Sequence, residues 1–289
     1  MRTVTKENIT DVFMGYFGDQ TNPRLREVLG SLVAHLHAFA KDVGLTHEEW
    51  RKGIAFLEEA GEISDKERHE FVLLSDVLGL SSLVDMINSV SAGTSSSVLG
   101  PFHISGAPPI SFGDDLKQHF DGQVLLARGR VLNPEGQPIA GAELDIWQTA
   151  PNGLYSSQDP DQDTYSFHGI QTTRADGTYG FTTVRPVSYT VPTDGPVGEI
   201  LRASGRHPWR PSHLHYIVKA KGFRPLVTEI FPEDDPYLDE DTVFGVREDL
   251  VMEYVEHPST DFPEGYVLTG KVNEPFLVAD FDLTLVREG

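Results

Sequence analysis

The chain has 289 residues, 39% of them hydrophobic, which is enough to build one large domain or two ordinary ones around real cores. Its 44 acidic side chains outnumber the 23 basic ones, and the net charge of −21 disfavours nucleic acid and anionic lipid surfaces as partners. Cysteine is absent, which excludes disulfides and thiolate metal sites and agrees with a reducing compartment such as the cytoplasm. No membrane span and no signal peptide are expected, because no apolar run is long enough and the amino terminus is polar.

The amino-terminal part of the chain carries helical signals. Apolar residues recur at helical spacing from Asn22 to Val43, with Asn22 as the cap and Pro23 in the first turn. This apolar stripe consists of Leu25, Val28, Leu29, Leu32, Val33, Leu36, Phe39 and Val43. One short bundle does not easily bury so much apolar surface, so we expect a homodimer formed through the amino-terminal helices.

Two further helices are predicted by capping-box patterns, in which a hydroxyl side chain precedes an acid by three residues. Thr46 precedes Glu49 in this way, and Ser64 precedes Glu67. Residues 1–100 are therefore predicted to form an all-helical domain.

After Gly100 the pattern changes to short β-prone runs separated by turn formers such as Asn133-Pro134-Glu135-Gly136. No helical period of comparable length interrupts these runs. The predicted strands are Val124–Leu132, Ala142–Trp147, Gly177–Val184, His213–Ala220, Leu226–Phe231 and Phe276–Val286. The sequence thus predicts an α+β multidomain protein, in which an antiparallel β-sandwich at 101–289 follows the helical domain.

One of the predicted strands opens with two histidines, His213 and His215. Side chains of a strand alternate between its faces, so these two imidazoles point the same way. Upstream, Tyr155 and Tyr189 lie in glycine- and proline-rich turns, and the four side chains form a ligand set for ferric iron. The histidine pair by itself indicates zinc, copper or ferrous iron equally, or a structural pair. A cupin-type site would need a carboxylate about where Lys219 stands.

The order and approximate spacing of these four residues resemble those of the intradiol ring-cleavage dioxygenases, non-haem Fe(III) enzymes that open catechols between their two hydroxyl groups. Three further runs are similar to that family: Leu144-Asp145-Ile146-Trp147-Gln148, Asp194-Gly195-Pro196-Val197-Gly198 and Gly205-Arg206-His207-Pro208-Trp209-Arg210-Pro211. The resemblance implies a dimerising helical domain and a β-sandwich that carries one Fe(III) per chain. It also implies a phospholipid or fatty chain as a structural ligand.

The same resemblance implies a role for each site residue. Tyr189 and His213 would be axial metal ligands, Tyr155 and His215 equatorial ones, and Tyr189 would take a proton from the substrate. Arg210 would stabilise negative charge on the ring. Glu229 departs from the family, because many members carry glutamine at this position, and it is expected to bind water or to pair with Arg210.

The substrate pocket is also assigned by resemblance, to Leu73, Asp76, Val98, Gly100, Val191, Pro192 and Val243. The runs Val98–His103, Arg206–Pro211 and Asp241–Val246 most resemble the hydroxyquinol 1,2-dioxygenase branch, which uses O2 to cleave benzene-1,2,4-triol to 3-hydroxy-cis,cis-muconate, the enol of maleylacetate. A third ring hydroxyl would supply the hydrogen-bond donor that Asp76 needs among its apolar neighbours.

Three alternatives to this interpretation remain. Catechol or chlorocatechol is the alternative substrate, with a cis,cis-muconate as product. A β-sandwich binding module without catalysis is the alternative of another class. An extradiol enzyme is disfavoured, because it would hold Fe(II) with two histidines and one carboxylate.

Overall fold

The computed structural model describes residues 3–66, 68–90, 92–117, 120–269 and 274–288. Two compact units are present, residues 1–58 and residues 59–289. Within the described ranges, none of the helices has both the length and the apolar character needed to cross a membrane.

The first unit contains α1 (Ile9–Met14), α2 (Pro23–Asp42) and the start of α3 (His47–Ile63). The predicted caps are present: the Asn22 side chain accepts hydrogen bonds at the start of α2, and Thr46 and Glu49 exchange hydrogen bonds at the start of α3. The other predicted capping box includes Glu67, which lies outside the described residues.

The predicted apolar stripe of α2 is largely uncovered in the single chain. On the opposite side of the helix, Gly30 lies against the Met14 side chain of α1. The side chains of His37 and Thr10 are hydrogen-bonded there. The side chains of the stripe that are about half exposed are Leu25, Val28, Leu32, Leu36, Phe39 and Val43. Such a contiguous apolar surface is typical of a protein interface.

The second unit carries the end of α3 and three short helices, α4 (Glu70–Val77), α5 (Leu80–Asn88) and α6 (Pro196–Ala203). The α6 helix was not predicted from the sequence, because its segment is short and begins with turn-forming residues. Its amino terminus is completed by a distant residue: the Glu70 carboxylate accepts a hydrogen bond from the Val197 amide at 3.0 Å. Glu70 therefore ties α4 to α6.

The described residues of the second unit also form three sheets, of six, five and two strands. The six-stranded sheet has the order β1-β4-β3-β8-β9-β10; the five-stranded sheet has the order β11-β12-β2-β13, with β5 also paired to β2. The strands are β1 (Pro109–Ile110), β2 (Val124–Leu132), β3 (Glu143–Trp147), β4 (His168–Thr172), β5 (Thr178–Val184), β6 (Tyr189–Thr190), β7 (Trp209–Arg210), β8 (Leu214–Lys219), β9 (Leu226–Pro232), β10 (Val251–Met252), β11 (Val255–His257), β12 (Phe276–Asp280) and β13 (Leu283–Thr284). The short strands β6 and β7 pair with each other.

The two larger sheets are mixed, so the prediction of purely antiparallel strands is wrong. Four pairs are parallel, β1 with β4, β9 with β10, and β2 with both β12 and β13. Periodicity determines which strand face is buried and carries no information on strand direction. The predicted strand Phe276–Val286 is also divided in two, where Phe281 crosses Gly129 so closely that no Cβ would fit there.

Side-chain alternation on the central strands separates the core from a second face of the six-stranded sheet. Leu144 and Ile146 of β3 and Leu214 and Tyr216 of β8 enter the main buried cluster, to which both of the larger sheets contribute. Trp147 and His215 therefore lie on the opposite face. The α+β class predicted from the sequence is confirmed at this level. The functional division into residues 1–100 and 101–289 stays a prediction.

Candidate active site

A row of side chains crosses the six-stranded sheet on the face turned away from the main core. His168 of β4, Trp147 of β3, His215 of β8 and Glu229 of β9 are successive cross-strand partners. The Trp147 indole stacks on the His215 imidazole, with ring centroids 4.4 Å apart and planes 4° apart. The sheet register therefore fixes both the position and the plane of His215.

The polar ends of four side chains converge: those of Tyr155, Tyr189, His213 and His215. The Tyr155 hydroxyl lies 2.9 Å from His215 Nε2, 3.2 Å from His213 Nε2 and 3.4 Å from the Tyr189 hydroxyl, and the two Nε2 atoms are 3.1 Å apart. All four residues are buried. Metal–ligand bonds of about 2 Å place neighbouring donor atoms about 3 Å apart, so this spacing fits a single ion among the four atoms.

The histidine rings are oriented for binding through Nε2. His213 Nδ1 lies 2.7 Å from the Pro211 carbonyl oxygen, to which it donates. His215 Nδ1 is buried without a hydrogen-bond partner among the described residues, and it lies 3.5 Å from Glu229 Oε1. Burial, with the nearby Arg210 charge, lowers the pKa of His213 to about 3, and burial lowers the pKa of His215 well below its usual range. Both imidazoles are therefore neutral, as metal ligands must be.

The two phenols lie in a medium that opposes isolated charge. Burial, together with Tyr189, raises the pKa of Tyr155 well above its ordinary value, and burial raises the pKa of Tyr189. A phenolate in this dry interior therefore requires a cation in direct contact. The donor set thus matches a hard, highly charged metal ion better than it matches a proton-transfer site.

A buried ion cluster lies beside the four donors. Arg210 binds Glu229 at 2.8 and 3.1 Å and binds Asp241 at 3.0 and 3.1 Å, and its Nη1 atom lies 3.5 Å from the Tyr189 hydroxyl. Burial opposes ionisation of Glu229, but Arg210, His215 and Ser97 together outweigh burial and lower the pKa of Glu229. Ser97 adds a hydrogen bond to Glu229 at 2.6 Å. The pairing expected between Glu229 and Arg210 is thus present in the structure.

Several residues of this cluster were not predicted from the sequence to have a role. Asp241 holds Arg210 from 31 positions away, and Ser97 reaches Glu229 across 132 positions. Gly245 lies so close that a Cβ would come within 2.7 Å of Arg210 Nη2 and Glu229 Oε2. No local pattern could reveal these partners. The only signal was the resemblance of the run Asp241–Val246 to one family branch.

Four of the seven predicted substrate residues line two neighbouring clefts. Asp76 and Gly100 line one of about 570 Å³, while Leu73 and Pro192 line another of about 250 Å³. Gly100 has a φ of +70°, and a Cβ there would lie 3.9 Å from His215 Cε1, so the first cleft approaches the group of two tyrosines and two histidines. The remaining three residues, Val98, Val191 and Val243, are buried.

Asp76 is a buried acid at the end of α4. Burial raises its pKa to about 6, although Ser81 and Arg210 act in the opposite direction and Glu229 and Asp241 add to the rise. The charges of the ion cluster around Arg210 therefore contribute to the pKa of Asp76. A hydrogen-bond donor brought into the cleft would stabilise its ionised form.

Comparison with known proteins assigns the chain to a family. Residues 22–95 match the family model for the catechol dioxygenase N terminus, and residues 100–285 match a dioxygenase model. The chain belongs to the intradiol ring-cleavage dioxygenases. It is 43% identical over 285 residues to hydroxyquinol 1,2-dioxygenase of Rhizobium sp. (strain MTP-10005), covering 98% of this chain and 96% of that protein.

Two further relatives of this dioxygenase support the assignment. The 6-chlorohydroxyquinol 1,2-dioxygenase of Cupriavidus pinatubonensis is 42% identical over 257 residues, covering 88% of this chain and 93% of that protein. The crystal structure of hydroxyquinol 1,2-dioxygenase from Pseudomonas putida DLL-E4 aligns with a TM-score of 0.88 at 44% identity, covering 98% of this chain and 99% of that one.

The raised pKa of Asp76 predicts how Asp76→Asn changes stability with pH. The folded state favours the protonated form of Asp76. The stabilisation of the folded state by this protonated carboxyl is therefore complete below the pKa of Asp76 in the unfolded chain, and it is lost as pH rises through about 6. Asparagine mimics the protonated acid. The variant should match the wild type near pH 4 and be more stable at pH 8, by up to about 3 kcal/mol.

Calorimetric unfolding at both pH values measures this difference. The exposed Asp239→Asn provides the control for removal of an acid, and should show no such pH dependence. An equal effect of Asp76→Asn at both pH values would contradict the burial argument.

Proposed function

We propose that this dioxygenase uses one Fe(III) per chain and O2 to cleave hydroxyquinol between adjacent hydroxyls, giving 3-hydroxy-cis,cis-muconate. The observation that carries this proposal is the convergence of two phenols and two imidazoles beside a cleft that contains a buried acid. The relatives that are named hydroxyquinol 1,2-dioxygenases support the choice of substrate. Catechol or chlorocatechol remains the second candidate.

The charges around the donors favour a trivalent ion. Arg210 brings one positive charge, and its two carboxylate partners bring two negative ones. Two tyrosinates would raise the excess to three negative charges. Ferric iron neutralises this excess, whereas a divalent ion would leave one negative charge buried and uncompensated.

The proposed ligands are Tyr155, Tyr189, His213 and His215. These residues would hold a ferric ion, which would supply Lewis-acid chemistry to a substrate bound through its two adjacent hydroxyl oxygens. Tyr189 is the proposed acceptor of a substrate proton, and the nearby Arg210 charge favours its phenolate form. Arg210 is the proposed stabiliser of negative charge on the ring, held in place by Glu229 and Asp241.

The proposed pocket favours a third ring hydroxyl. Asp76 offers a buried acceptor in the cleft that approaches His215. A hydroxyl on the ring supplies a donor to this acid, whereas an acidic ring substituent would meet like charge. The acids of the cleft and of the ion cluster therefore disfavour carboxylated catechols.

We further propose that residues 1–100 serve as the dimerisation domain and pocket roof, and that residues 101–289 form a β-sandwich catalytic domain. The half-exposed apolar stripe on α2 supports the dimer. The phospholipid or fatty chain implied by the family resemblance remains a proposed structural ligand.

Replacing a metal ligand tests the iron assignment. His213→Ala and His215→Ala should each lose iron and visible colour together, because tyrosinate-to-Fe(III) charge transfer requires the bound ion. Tyr189→Phe should impair turnover more than it impairs iron binding, since three protein ligands remain. Iron analysis and the visible spectrum measure these effects, with the exposed His47→Ala as control. Full iron retention in both histidine variants would overturn the assignment.

Asp76→Ala tests the choice of substrate. At equal iron content, kcat/KM for hydroxyquinol should fall by about 1–3 kcal/mol in transition-state terms, the scale of a lost buried hydrogen bond. Turnover of catechol should hold or improve, because catechol lacks the third hydroxyl. Asp76→Asn retains an acceptor oxygen and should retain part of the preference. An equal fall for both substrates, or a wild-type preference for catechol, would favour the second candidate.

Light scattering tests the dimer. The wild type should have twice the chain mass of 32.0 kDa at micromolar concentration. The double variant Leu32→Glu, Leu36→Glu places two charges in the α2 stripe and should shift the protein to monomer. Glu27→Lys changes charge on α2 outside the stripe and should remain dimeric. A monomeric wild type would refute the dimer.

A further inference from the structure

A second cluster of metal-ligand side chains lies on the same sheet face as the proposed iron site. Asp145 Oδ2 accepts a hydrogen bond from His103 Nε2 at 2.9 Å, and Oδ1 accepts one from His168 Nε2 at 2.6 Å. The three residues come from the loop before β1, from β3 and from β4. Their ligand atoms all lie within 4.8 Å of one another.

This cluster is separate from the proposed iron ligands. The Trp147 ring stacks on His215, and it also contacts His103, with ring centroids 4.7 Å apart, and His168, with centroids 5.9 Å apart. Asp145 and Trp147 lie two residues apart on β3 and share a face. The indole therefore stands between the two groups of histidines.

The cluster has the donor chemistry of a metal site. Asp145 presents both of its carboxylate oxygens to the imidazoles of His103 and His168, which donate hydrogen bonds to them. An ionised carboxylate with two imidazoles is a donor set that zinc and other divalent transition metals accept. For a metal ion to bind the same three atoms, each imidazole would keep its proton on Nδ1 and offer the lone pair of Nε2.

Access to the cluster is available from one side. His103 is partly exposed and lines a cleft of about 650 Å³, together with Ser105, Ser156 and Gln162. His168 and Asp145 are buried behind it, on paired strands whose positions the sheet fixes. An ion can therefore enter past His103 and find two preorganised ligands, with coordination positions left for water.

From this geometry we propose that His103, Asp145 and His168 form a second metal site, which binds a divalent transition-metal ion such as Zn²⁺. The bound ion crosslinks the loop of Gly100 and His103 to strands β3 and β4 of the sheet. Its role is structural, because no atom of the cluster belongs to the four donors around Tyr155.

Metal analysis of the iron-loaded protein tests this site. After equilibrium dialysis against micromolar Zn²⁺, each chain should hold one zinc ion in addition to its iron, without loss of visible colour. Zinc-edge X-ray absorption should show only nitrogen and oxygen ligands, two of them imidazoles. The zinc should also raise the melting temperature, since it binds the folded state.

Two variants locate the bound zinc. His103→Ala removes the exposed ligand, and His168→Gln keeps an N–H donor near the position of Nε2 while removing the imidazole. Both should lose the zinc and its effect on melting while retaining iron and colour. His47→Ala, which removes an exposed histidine elsewhere, should bind zinc as the wild type does.

Two results would overturn the proposal. Absence of a zinc ion beyond the iron would mean that the three residues form only a hydrogen-bonded triad. Zinc that enters while the colour bleaches, and that both variants still bind, would belong to the tyrosine–histidine site. Because the readout is zinc stoichiometry, the result does not depend on which aromatic substrate the enzyme cleaves.

Discussion

The active site depends on one buried ion cluster, in which Arg210 is held between Glu229 and Asp241. Removing one partner of a buried ion pair typically costs about 3–5 kcal/mol, because the remaining charge stays uncompensated. The surrounding chain is built to avoid that cost: Ser97 binds Glu229, and the Gly245 amide binds Asp241. The cluster thereby fixes a cation 3.5 Å from the Tyr189 hydroxyl, and joins β7 and β9 to the segment after β9.

Because side chains alternate along its strands, the six-stranded sheet contributes one face to the hydrophobic core and the other face to the candidate active site. On β8, Leu214 and Tyr216 pack in the core, while His215 between them faces Tyr155 and His213. On β3, Trp147 faces the same way as His215 and stacks on it. The hydrophobic core therefore determines the register, and the register determines where His215 lies. A shift of one residue would exchange His215 with a core side chain.

Local signals explain what the sequence could predict. The α2 cap at Asn22 and the boundaries of β2 follow from nearby residues, and the four proposed ligands were found because their order resembles a family. What remained hidden depends on distant partners. The α6 helix begins where Glu70 supplies an acceptor from α4, and Arg210 meets Asp241 only in the folded chain. Parallel strand pairing was also missed, since alternation is independent of strand direction.

Glu229 sets the charge balance of the proposed site. The family resemblance implies a neutral glutamine at this position, whereas this chain places a fully buried carboxylate there. Its charge is tolerated because Arg210 is close, but the carboxylates of Glu229 and Asp241 together outweigh the single charge of Arg210, so the cluster as a whole carries one negative charge. The positive charge required by two phenolates would therefore have to come from a bound metal ion. The charges of the protein therefore favour a trivalent ion over a divalent one at the proposed tyrosine–histidine site. They also oppose reduction of such an ion to the divalent state.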